Sequence, residues 1–238
     1  MDVIHLPVLL EEVTNNLIST ENKLFVDATV GGGGHSYHIL EKFKDLRLVG
    51  IDVDEDVLKI AEERLSAFKG RVRLVGGNFR NLKGVLEQAG FSSFDSILFD
   101  LGFSTYQIMG KRGFSFHDEG FLDMRMDKEE PIKAYDVVNQ YSYERLAKII
   151  AEYGEERRAS SIARAILEQR KKRAISTAKE LSEIVIKVKR WRGRLNPSTK
   201  TFQAIRMEVN RELKNLEEGI AEAVHMLTKK GRIGVISF

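Results

Sequence analysis

Cysteine is absent from this sequence of 238 residues, and tryptophan occurs once. The lack of cysteine excludes disulfides, thiolate metal ligands and cysteine nucleophiles, and it is typical of a reducing compartment. No apolar run reaches the roughly 18–20 residues that a membrane-spanning helix requires. Residues 1–13 carry acids directly after a short apolar stretch and lack the basic region that opens a signal peptide. We therefore expect a cytoplasmic protein without a membrane partner.

The overall composition is that of a folded domain. The 38 Lys and Arg residues nearly balance the 35 Asp and Glu residues, and hydrophobic residues make up 42% of the chain. A chain of this size and composition can bury a sizeable core. We expect one large domain, or one domain that carries an insert.

Apolar strands alternate with amphipathic helices through the first hundred residues. The pattern predicts strands at 24–30, 47–53, 71–78 and 94–103, with a final strand at 232–238. Strands that alternate with helices form right-handed βαβ units, and continuous apolar strands require that both faces of the sheet be covered. The sequence therefore predicts an α/β fold with a parallel sheet.

Strand signals are missing from about residue 105 to residue 195. Helical spacing is present at 141–172, on either side of Gly154, and at 176–191, where a Ser or Thr precedes Glu180 as in a helix N-cap. A further helical stretch runs from about Thr199 to Lys230. These signals predict a discontinuous core of residues 1–105 and 196–238, and a mainly helical insert of residues 106–195.

Positive charge is concentrated in the insert. From Gly154 to Arg194 there are 13 Lys and Arg residues against 5 Glu, a local charge of +8. A solvated helix surface is the ordinary explanation of such runs. The clustering beside Trp191 favours a surface for a polyanion, because Lys and Arg displace counterions from phosphates. The candidate RNA-binding residues are Arg170, Lys171, Lys172 and Arg173.

Four glycines, Gly31 to Gly34, stand at a predicted strand-to-helix turn. Such a turn lets a ligand approach the backbone and the unpaired N–H groups of a helix start. The dinucleotide fingerprint requires a third glycine where this chain has Ser36. Asp27, on the strand before the loop, instead fits the variant that binds S-adenosylmethionine, whose ammonium group a carboxylate can meet. A glycine-rich turn without a ligand is the alternative.

Asp52 closes the second predicted strand, where an acid commonly accepts hydrogen bonds from ribose hydroxyls. The alternative is a helix cap, for which Asp54 is the better candidate. Phe79, after the third strand, is a candidate to pack on an adenine ring, although ordinary core packing is equally compatible with its position.

The fourth strand ends at Asp100, followed by Phe103 and Tyr106. Ligands of open α/β sheets bind beyond the carboxyl ends of the strands, so this loop is expected at the same crevice as the glycine loop. An exocyclic amine of a nucleobase is a poor nucleophile unless an acceptor draws on its N–H. Asp100 can be that acceptor, and Phe103 or Tyr106 can stack on a base. A buried Asp that caps the strand is the alternative.

Several sequence strings together resemble one known family. They are HLPVLLEEV (5–13), DATVGGGGHS (27–36), DLGFSTYQ (100–107), RGFSF (112–116), LDMRMD (122–127), YGEE (153–156), SIARAI (161–166) and TFQAIRMEVNREL (201–213). In this combination the chain resembles, over essentially its whole length, the bacterial family that methylates the N4 amino group of a cytosine in the decoding region of 16S ribosomal RNA. The resemblance implies a class I, Rossmann-like methyltransferase core with a helical insert, S-adenosyl-L-methionine as cofactor and assembled small-subunit RNA as substrate.

The resemblance also implies site residues. Cofactor contacts would fall on Gly33, Gly34, His35, Asp52, Phe79, Asp100 and Gln107. Asp100 and Phe103 would act in catalysis. Arg112, Asp123 and Arg125 would line the entry for the cytosine, with an ion-pair network that orders the loop as an equally good interpretation. Arg206, with Asn210 and Glu212, would hold either RNA or the active-site loop.

The sequence departs from the family pattern in two places. The Ser-Pro-Gln of the strand-four loop reads Thr105-Tyr106-Gln107, which preserves the glutamine. The family continues beyond the position of Phe238 with further strands, so we expect a sheet truncated after its fifth strand, with an apolar edge.

The leading prediction is therefore a ribosomal RNA cytosine-N4 methyltransferase that uses no metal and no covalent intermediate. Three alternatives stay open: a DNA amino-methyltransferase, a nucleotide-binding oxidoreductase, and a non-catalytic RNA-binding or assembly protein. The absent third glycine argues against the oxidoreductase. The sequence leaves the oligomeric state open, a dimer included.

Overall fold

A parallel β-sheet organises much of the chain. The structure, a computed structural model, describes residues 7–189 and 196–237. The strands in these residues are β1 (Leu24–Asp27), β2 (Arg47–Asp52), β3 (Val72–Gly76), β4 (Phe94–Asp100) and β5 (Leu227–Ile236). They form one sheet in the order β3-β2-β1-β4-β5, and every neighbouring pair is parallel. The predicted α/β, Rossmann-like fold class is confirmed.

Helices follow the first three strands and fill the middle of the chain. The helices in the described residues are α1 (Leu10–Leu17), α2 (Gly34–Lys42), α3 (Glu55–Arg64), α4 (Leu82–Gln88), α5 (Thr105–Met109), α6 (Ala134–Gln140), α7 (Tyr143–Glu152), α8 (Ala159–Lys172), α9 (Ala178–Lys189), α10 (Thr199–Asn210) and α11 (Glu212–Met226). None of them is long and apolar enough to cross a membrane.

Both faces of the sheet are covered, as the continuous apolar strands predict. Alternate residues of β4 enter different cores: Ile97 and Phe99 pack with α4 and α11, whereas Leu98 packs with α1, α2 and α3. These cores explain why the strands carry apolar residues at consecutive positions.

The chain divides into two compact units. The sheet unit comprises Met1–Tyr106 and Leu213–Phe238, and the helical unit comprises Gln107–Glu212. The sequence prediction assigned residues 196–212 to the core with the sheet, whereas the structure groups them with the helical unit. The reason is that α10 buries Phe202 and Ile205 in the same core as Ile149 of α7.

The helical stretch predicted from about Thr199 to Lys230 is in fact two helices and the start of a strand. Arg211 adopts a left-handed conformation (φ 50°) that ends α10 before α11 begins. At the end of α11, Leu227 already pairs with Phe94 of β4, and the register between these strands is irregular until Arg232 meets Ser96. The strand therefore begins five positions before the predicted residue 232, because Thr228 donates a hydrogen bond to Asp95 and draws the chain onto the sheet.

Two predicted helix starts are confirmed by their side chains. Asp54 is the N-cap of α3 and accepts a hydrogen bond from the Asp56 N–H. Before α9, Thr177 Oγ1 accepts from the Glu180 N–H, while the Glu180 carboxylate accepts from the Ser176 N–H at 2.8 Å. This reciprocal arrangement satisfies N–H groups that a helix start leaves without partners.

Candidate active site

Three acidic residues occupy the carboxyl ends of neighbouring strands. Asp27 ends β1, Asp52 ends β2 and Asp100 ends β4, and β1 lies between the other two strands. In open parallel sheets, ligands bind beyond this edge. The structure thus places Asp27, Asp52 and Asp100 at the same ends of three adjacent strands.

The glycine loop connects β1 to α2 as predicted. Gly33 is the residue before α2 and has a φ of 76°, a conformation that side chains disfavour. A Cβ atom on Gly32 would lie 2.6 Å from Cε2 of Tyr106, so that aromatic ring packs directly against the loop backbone. The loop is therefore held close to the end of β4, and larger side chains would displace it.

Asp52 is anchored by the loop that it faces. Its Oδ2 accepts the Gly31 N–H and its Oδ1 accepts the Asp54 N–H, both at 3.0 Å. Burial raises the pKa of Asp52 to about 6, although the two backbone hydrogen bonds oppose this shift. Each carboxylate oxygen keeps a second lone pair for a ligand hydroxyl. The geometry fits the predicted ribose contact, and Asp54 serves as the helix cap instead.

Asp27 is occupied in holding the loop together. Its carboxyl group is buried, and it accepts a hydrogen bond from Ser36 Oγ at 2.6 Å. Burial raises the pKa of Asp27, and the Ser36 hydroxyl opposes the rise. Ser36, which replaces the third glycine of the dinucleotide fingerprint, thus ties α2 to β1. The predicted ammonium contact at Asp27 stays a prediction.

Asp100 is positioned by two neighbours. Its backbone N–H donates to Thr29 Oγ1 at 2.7 Å, which fixes the end of β4 to the segment that follows β1. One carboxylate oxygen lies 3.8 Å from Nδ1 of His35, and the Asp100 side chain is 28% exposed. The carboxylate therefore reaches solvent at the crevice while its backbone is fixed.

His35 connects the glycine loop to the amino-terminal segment. It lies buried in the first turn of α2, and its Nε2 is 2.9 Å from the Val8 carbonyl oxygen. A carbonyl oxygen only accepts, so Nε2 carries the proton of this hydrogen bond. The hydrogen bond thus joins the segment around Val8 to the start of α2. The His35 ring lies between Val8 and Asp100.

Aromatic side chains border the same edge. Phe79 is half-buried in a 3-10 turn after β3 and contacts Phe99 edge to face, with ring centroids 5.4 Å apart. It packs against the core on one side, so both readings of Phe79 fit its position. Phe103 and Tyr106, after β4, are 42% and 36% exposed. Exposed aromatic rings at the end of a strand can stack on a flat ligand.

Three residues near this site were missed by sequence reasoning. Thr29 and Ser36 hold Asp100 and Asp27, and Arg64 of α3 donates a hydrogen bond to the Gly32 carbonyl at 3.1 Å. Thr29 and Ser36 stand within the glycine motif, so a search for hydroxyls near the acids could have found them. Arg64 carries no local signal, because the contact spans 32 positions.

In the helical unit, Arg125 is the centre of a local network. It binds both carboxylate oxygens of Asp123 through Nε and Nη2, at 2.7 and 3.0 Å, and donates to the carbonyls of Lys128 and Glu130. Although burial would raise the pKa of Asp123, the hydrogen bonds from Arg125 lower it. Arg112 donates to the Arg125 carbonyl at 3.2 Å. These contacts favour the interpretation in which both arginines order the loop.

Two further strings of the helical unit meet through Asn210. Its side-chain oxygen accepts the Met126 N–H at 2.7 Å, and its NH₂ group donates to the carbonyls of Met124 and Arg206. Arg206 forms a two-point ion pair with Glu212 in which both side chains are 13% exposed. Burial raises the pKa of Glu212, and the Arg206 guanidinium opposes the rise. Of the two predicted roles, these contacts favour holding the loop over holding RNA.

Gln107 belongs to the helical unit, where it is buried. Its backbone carbonyl accepts the Gly110 N–H at 3.3 Å, which closes a turn after α5. The predicted cofactor contact at Gln107 stays a prediction.

The basic run lies at the carboxyl end of α8, where cations compensate the helix dipole. Arg170 donates to the Val138 carbonyl at 2.9 Å, Lys171 pairs with Glu168, and Arg173 pairs with Glu180. Lys171, Lys172 and Arg173 are exposed. The second basic run, with Trp191 and Arg194, lies outside the described residues.

The residues at the carboxyl edge fit the chemistry of S-adenosylmethionine. Asp52 offers carboxylate lone pairs to a ribose diol, and Phe79 offers a half-buried ring to an adenine. A Cβ atom on Gly31 would meet only the Thr29 carbonyl, at 3.8 Å, so the loop backbone there borders open space. The Asp52 carboxylate and the Phe79 ring thus match the ribose diol and the adenine ring of this cofactor.

Comparison with known proteins agrees with this chemistry. A sequence model described as "MraW methylase family" matches residues 2–238. The chain is 49% identical over 237 residues to "Ribosomal RNA small subunit methyltransferase H" of Sulfurihydrogenibium sp. (strain YO3AOP1), covering 98% of this chain and 81% of that protein. A protein of the same name from Persephonella marina (strain DSM 14350 / EX-H1) is 48% identical with the same coverage. The one from Carboxydothermus hydrogenoformans (strain ATCC BAA-161 / DSM 6008 / Z-2901) is 46% identical, covering 100% of this chain and 77% of that protein.

Proposed function

Because the chain belongs to the MraW methylase family, we propose that it methylates the N4 amino group of a cytosine in the decoding region of 16S ribosomal RNA. S-adenosyl-L-methionine is the cofactor of this family, as the resemblance implied. The relatives are named ribosomal RNA small subunit methyltransferases, which supports small-subunit RNA as the substrate. The proposed location is the cytoplasm, where this RNA is assembled with its proteins.

The observation that carries the amino-group assignment is the placement of Asp100. Its backbone is fixed by Thr29, its carboxylate is 28% exposed at the carboxyl edge, and Phe103 follows it in the chain as an exposed aromatic ring. A carboxylate that faces solvent beside an aromatic surface suits a base whose amine must be polarised while its ring is held flat.

The proposed chemistry is a direct transfer. When bound, S-adenosylmethionine supplies an electrophilic methyl group on sulfur. Asp100 would accept a hydrogen bond from the cytosine N–H, so that the nitrogen lone pair becomes available for the new N–C bond. The methyl–sulfur bond would break as this bond forms, S-adenosylhomocysteine would leave as a neutral thioether, and the surplus amine proton would pass to the Asp100 carboxylate and on to solvent. Phe103 stacks on the pyrimidine ring and orients the amine. Holding the reactants in line and placing a fixed acceptor at the amine supply most of the rate increase.

The cofactor would be held by the loop and the strand ends. Asp52 accepts the ribose hydroxyls, Phe79 packs on the adenine ring, and Gly33 and Gly34 keep the backbone open to the ligand. His35 orders the site from the side of the amino-terminal segment through Val8. The predicted contacts of Asp100 and Gln107 to the cofactor complete this proposal.

We assign RNA recognition to the helical unit. The exposed residues of the basic run, Lys171, Lys172 and Arg173, suit phosphate contacts. Replacing the four residues from Arg170 to Arg173 by Ala should weaken RNA binding and reduce its dependence on salt. A variant that binds RNA as tightly as the wild type at both low and high salt would remove the basic run from the interface. Arg112, Arg125 and Arg206 would act by shaping the loop, because their guanidinium groups already contact protein.

The function is tested by methyl transfer with the Asp100→Asn variant. Small ribosomal subunits that lack the modification and radiolabelled S-adenosylmethionine are the substrates. We expect turnover to fall by about 10²–10⁴-fold, the usual contribution of a positioned acid or base. Asp45→Asn, which changes an exposed acid of the same unit, is the control and should leave turnover unchanged. Equal turnover by Asp100→Asn and wild type would contradict the assignment.

A further inference from the structure

The sheet unit carries a second concave surface, at the amino ends of the strands. A cavity of about 480 Å³ lies at the amino ends of β2 and β3, whereas Asp27, Asp52 and Asp100 lie at the carboxyl ends. Because the strands are parallel, the cavity and the three acids are separated by the length of a strand. The basic residues that line this cavity, termed the basic pocket, are Arg47, Lys69, Arg71 and Arg73.

The basic pocket concentrates charge of one sign. None of the ten residues that line the cavity is acidic. Arg47 and Arg71 stand side by side on adjacent chain segments, because the residue after Arg47 donates its N–H to the Arg71 carbonyl at 2.8 Å. Four cations therefore line the cavity with no acidic lining residue to compensate them, which favours an anionic ligand.

Two of the four cations are held in place by the protein. The Arg71 guanidinium donates to the carbonyls of Leu40, Phe43 and Leu46, at 2.8 to 3.2 Å. The Arg47 guanidinium lies 5.1 Å from the centroid of the Phe91 ring. Positive charge is thus fixed at the cavity before any ligand arrives, which lowers the entropy cost of binding. Lys69 and Arg73 are exposed and complete the pocket.

The backbone of the pocket is also open to a ligand. A Cβ atom on Gly70 or on Gly90 would have no heavy atom within 4 Å. Gly90 follows α4 with a φ of 84°, which explains why this position is a glycine. Packing places no such demand on Gly70, so its missing side chain leaves room for a group to approach between Lys69 and Arg71.

We propose that the basic pocket binds the phosphodiester backbone of RNA, at a site separate from the catalytic crevice. The inference rests on the proposed function, because a ribosomal RNA substrate extends far beyond one base and offers phosphates to more than one surface. Guanidinium groups match phosphate oxygens through two parallel hydrogen bonds. Contacts to phosphate fix the register of a nucleic acid without reading its sequence. The pocket therefore orients the RNA while the crevice selects the base.

The test compares two charge-matched double variants. Lys69→Gln/Arg73→Gln removes two exposed cations of the pocket and keeps Arg47 and Arg71, whose guanidinium groups contact the fold. Lys214→Gln/Lys229→Gln removes two exposed cations elsewhere on the sheet unit. The affinity for a short single-stranded RNA and for deproteinised 16S RNA is measured from about 50 to 200 mM salt. The slope of log affinity against log salt should become shallower by about 1.4 in the pocket variant, since each phosphate contact on a single strand contributes about 0.7.

Three results would overturn the proposal. The first is a slope in the pocket variant equal to that of wild type and of the control. The second is a loss of affinity for assembled subunits with unchanged affinity for RNA alone, which would assign the pocket to an acidic protein. The third is unchanged RNA binding with lost stabilisation by inorganic phosphate at constant ionic strength, which would assign it to a free anion.

Methyl transfer by the wild-type chain, measured in parallel, separates this proposal from the proposed function. If the wild type methylates small subunits and the pocket variant keeps the full salt slope, the pocket assignment fails and the function stands. If the wild type transfers no methyl group to subunits, the function fails, and a shallower slope in the pocket variant still supports RNA binding at the pocket.

Discussion

At the scale of single residues, Asp52 links the fold to cofactor binding. Burial raises its pKa to about 6, so in the free protein the carboxyl group is ionised at neutral pH and protonated below about pH 6. In the unfolded chain the same group would ionise near 3.8. Its contribution to stability is therefore largest at low pH and is lost as the pH rises from about 4 to 6. Ligand binding has the opposite preference, because hydroxyl donors favour the ionised carboxylate.

We predict that the affinity for S-adenosylmethionine decreases as the pH falls through about 6. Protonation removes charge-assisted hydrogen bonds, and their loss should weaken binding by about tenfold. In Asp52→Asn the affinity should be low at every pH and show no step near 6. Calorimetric titrations between about pH 5 and 8 check this. A wild-type affinity that is flat across that range would mean that Asp52 does not contact the ligand in its ionised form.

Thr29 is a positioning residue for Asp100, and its hydroxyl can be removed without changing the shape of the side chain. In Thr29→Val the Asp100 N–H loses the acceptor that lies 2.7 Å away. We expect a loss of about 1–3 kcal/mol in the free energy of unfolding. Turnover on small subunits should fall as well, with little change in the KM for RNA.

The conservative variant Thr29→Ser restores the hydroxyl and should recover both stability and turnover. Urea denaturation and steady-state kinetics measure the two effects. Recovery of stability without recovery of turnover would show that the hydroxyl is structural only, and that Asp100 is oriented by another contact.

At the scale of elements, the sequence predicted the sheet well and the junction of α10 and α11 poorly. Strand positions and helix caps follow from local patterns, such as the apolar run of β4 and the Asp54 cap of α3. The break at Arg211 has no proline or glycine to announce it. Across the break, Arg206 pairs with Glu212, and both side chains are 13% exposed.

The loop at 122–127 depends on one side chain of α10, so we predict that Asn210→Asp loosens it. The aspartate keeps an acceptor for the Met126 N–H but cannot donate to the carbonyls of Met124 and Arg206. The Met124 carbonyl would lose its buried donor, which should cost about 1–3 kcal/mol. Hydrogen exchange should accelerate at residues 122–127, while the strands of the sheet unit keep their protection. Asn16→Asp, on the exposed face of α1, is the control. Unchanged exchange in this loop would contradict the clamp.

At the scale of the whole molecule, local sequence patterns predicted the sheet and the acids at its strand ends. They did not decide the roles of residues in the helical unit. Asp52 and Asp100 could be selected because each ends an apolar strand. The roles of Arg125 and Asn210 could not be decided from sequence, because a charged or amide side chain reads the same whether it faces RNA or a neighbouring loop. The Met124 carbonyl that Asn210 binds lies 86 positions away, whereas the partners of the Arg125 guanidinium lie within five positions.

The central claim is that the N4 atom of a cytosine receives the methyl group. Small subunits that lack the modification are incubated with the wild-type chain and labelled S-adenosylmethionine, and the 16S RNA is digested to nucleosides and separated. We predict that the label is recovered in N4-methylcytidine from a single position of the decoding region. Label in any other nucleoside, on another atom of cytidine, or in no nucleoside at all would contradict the account.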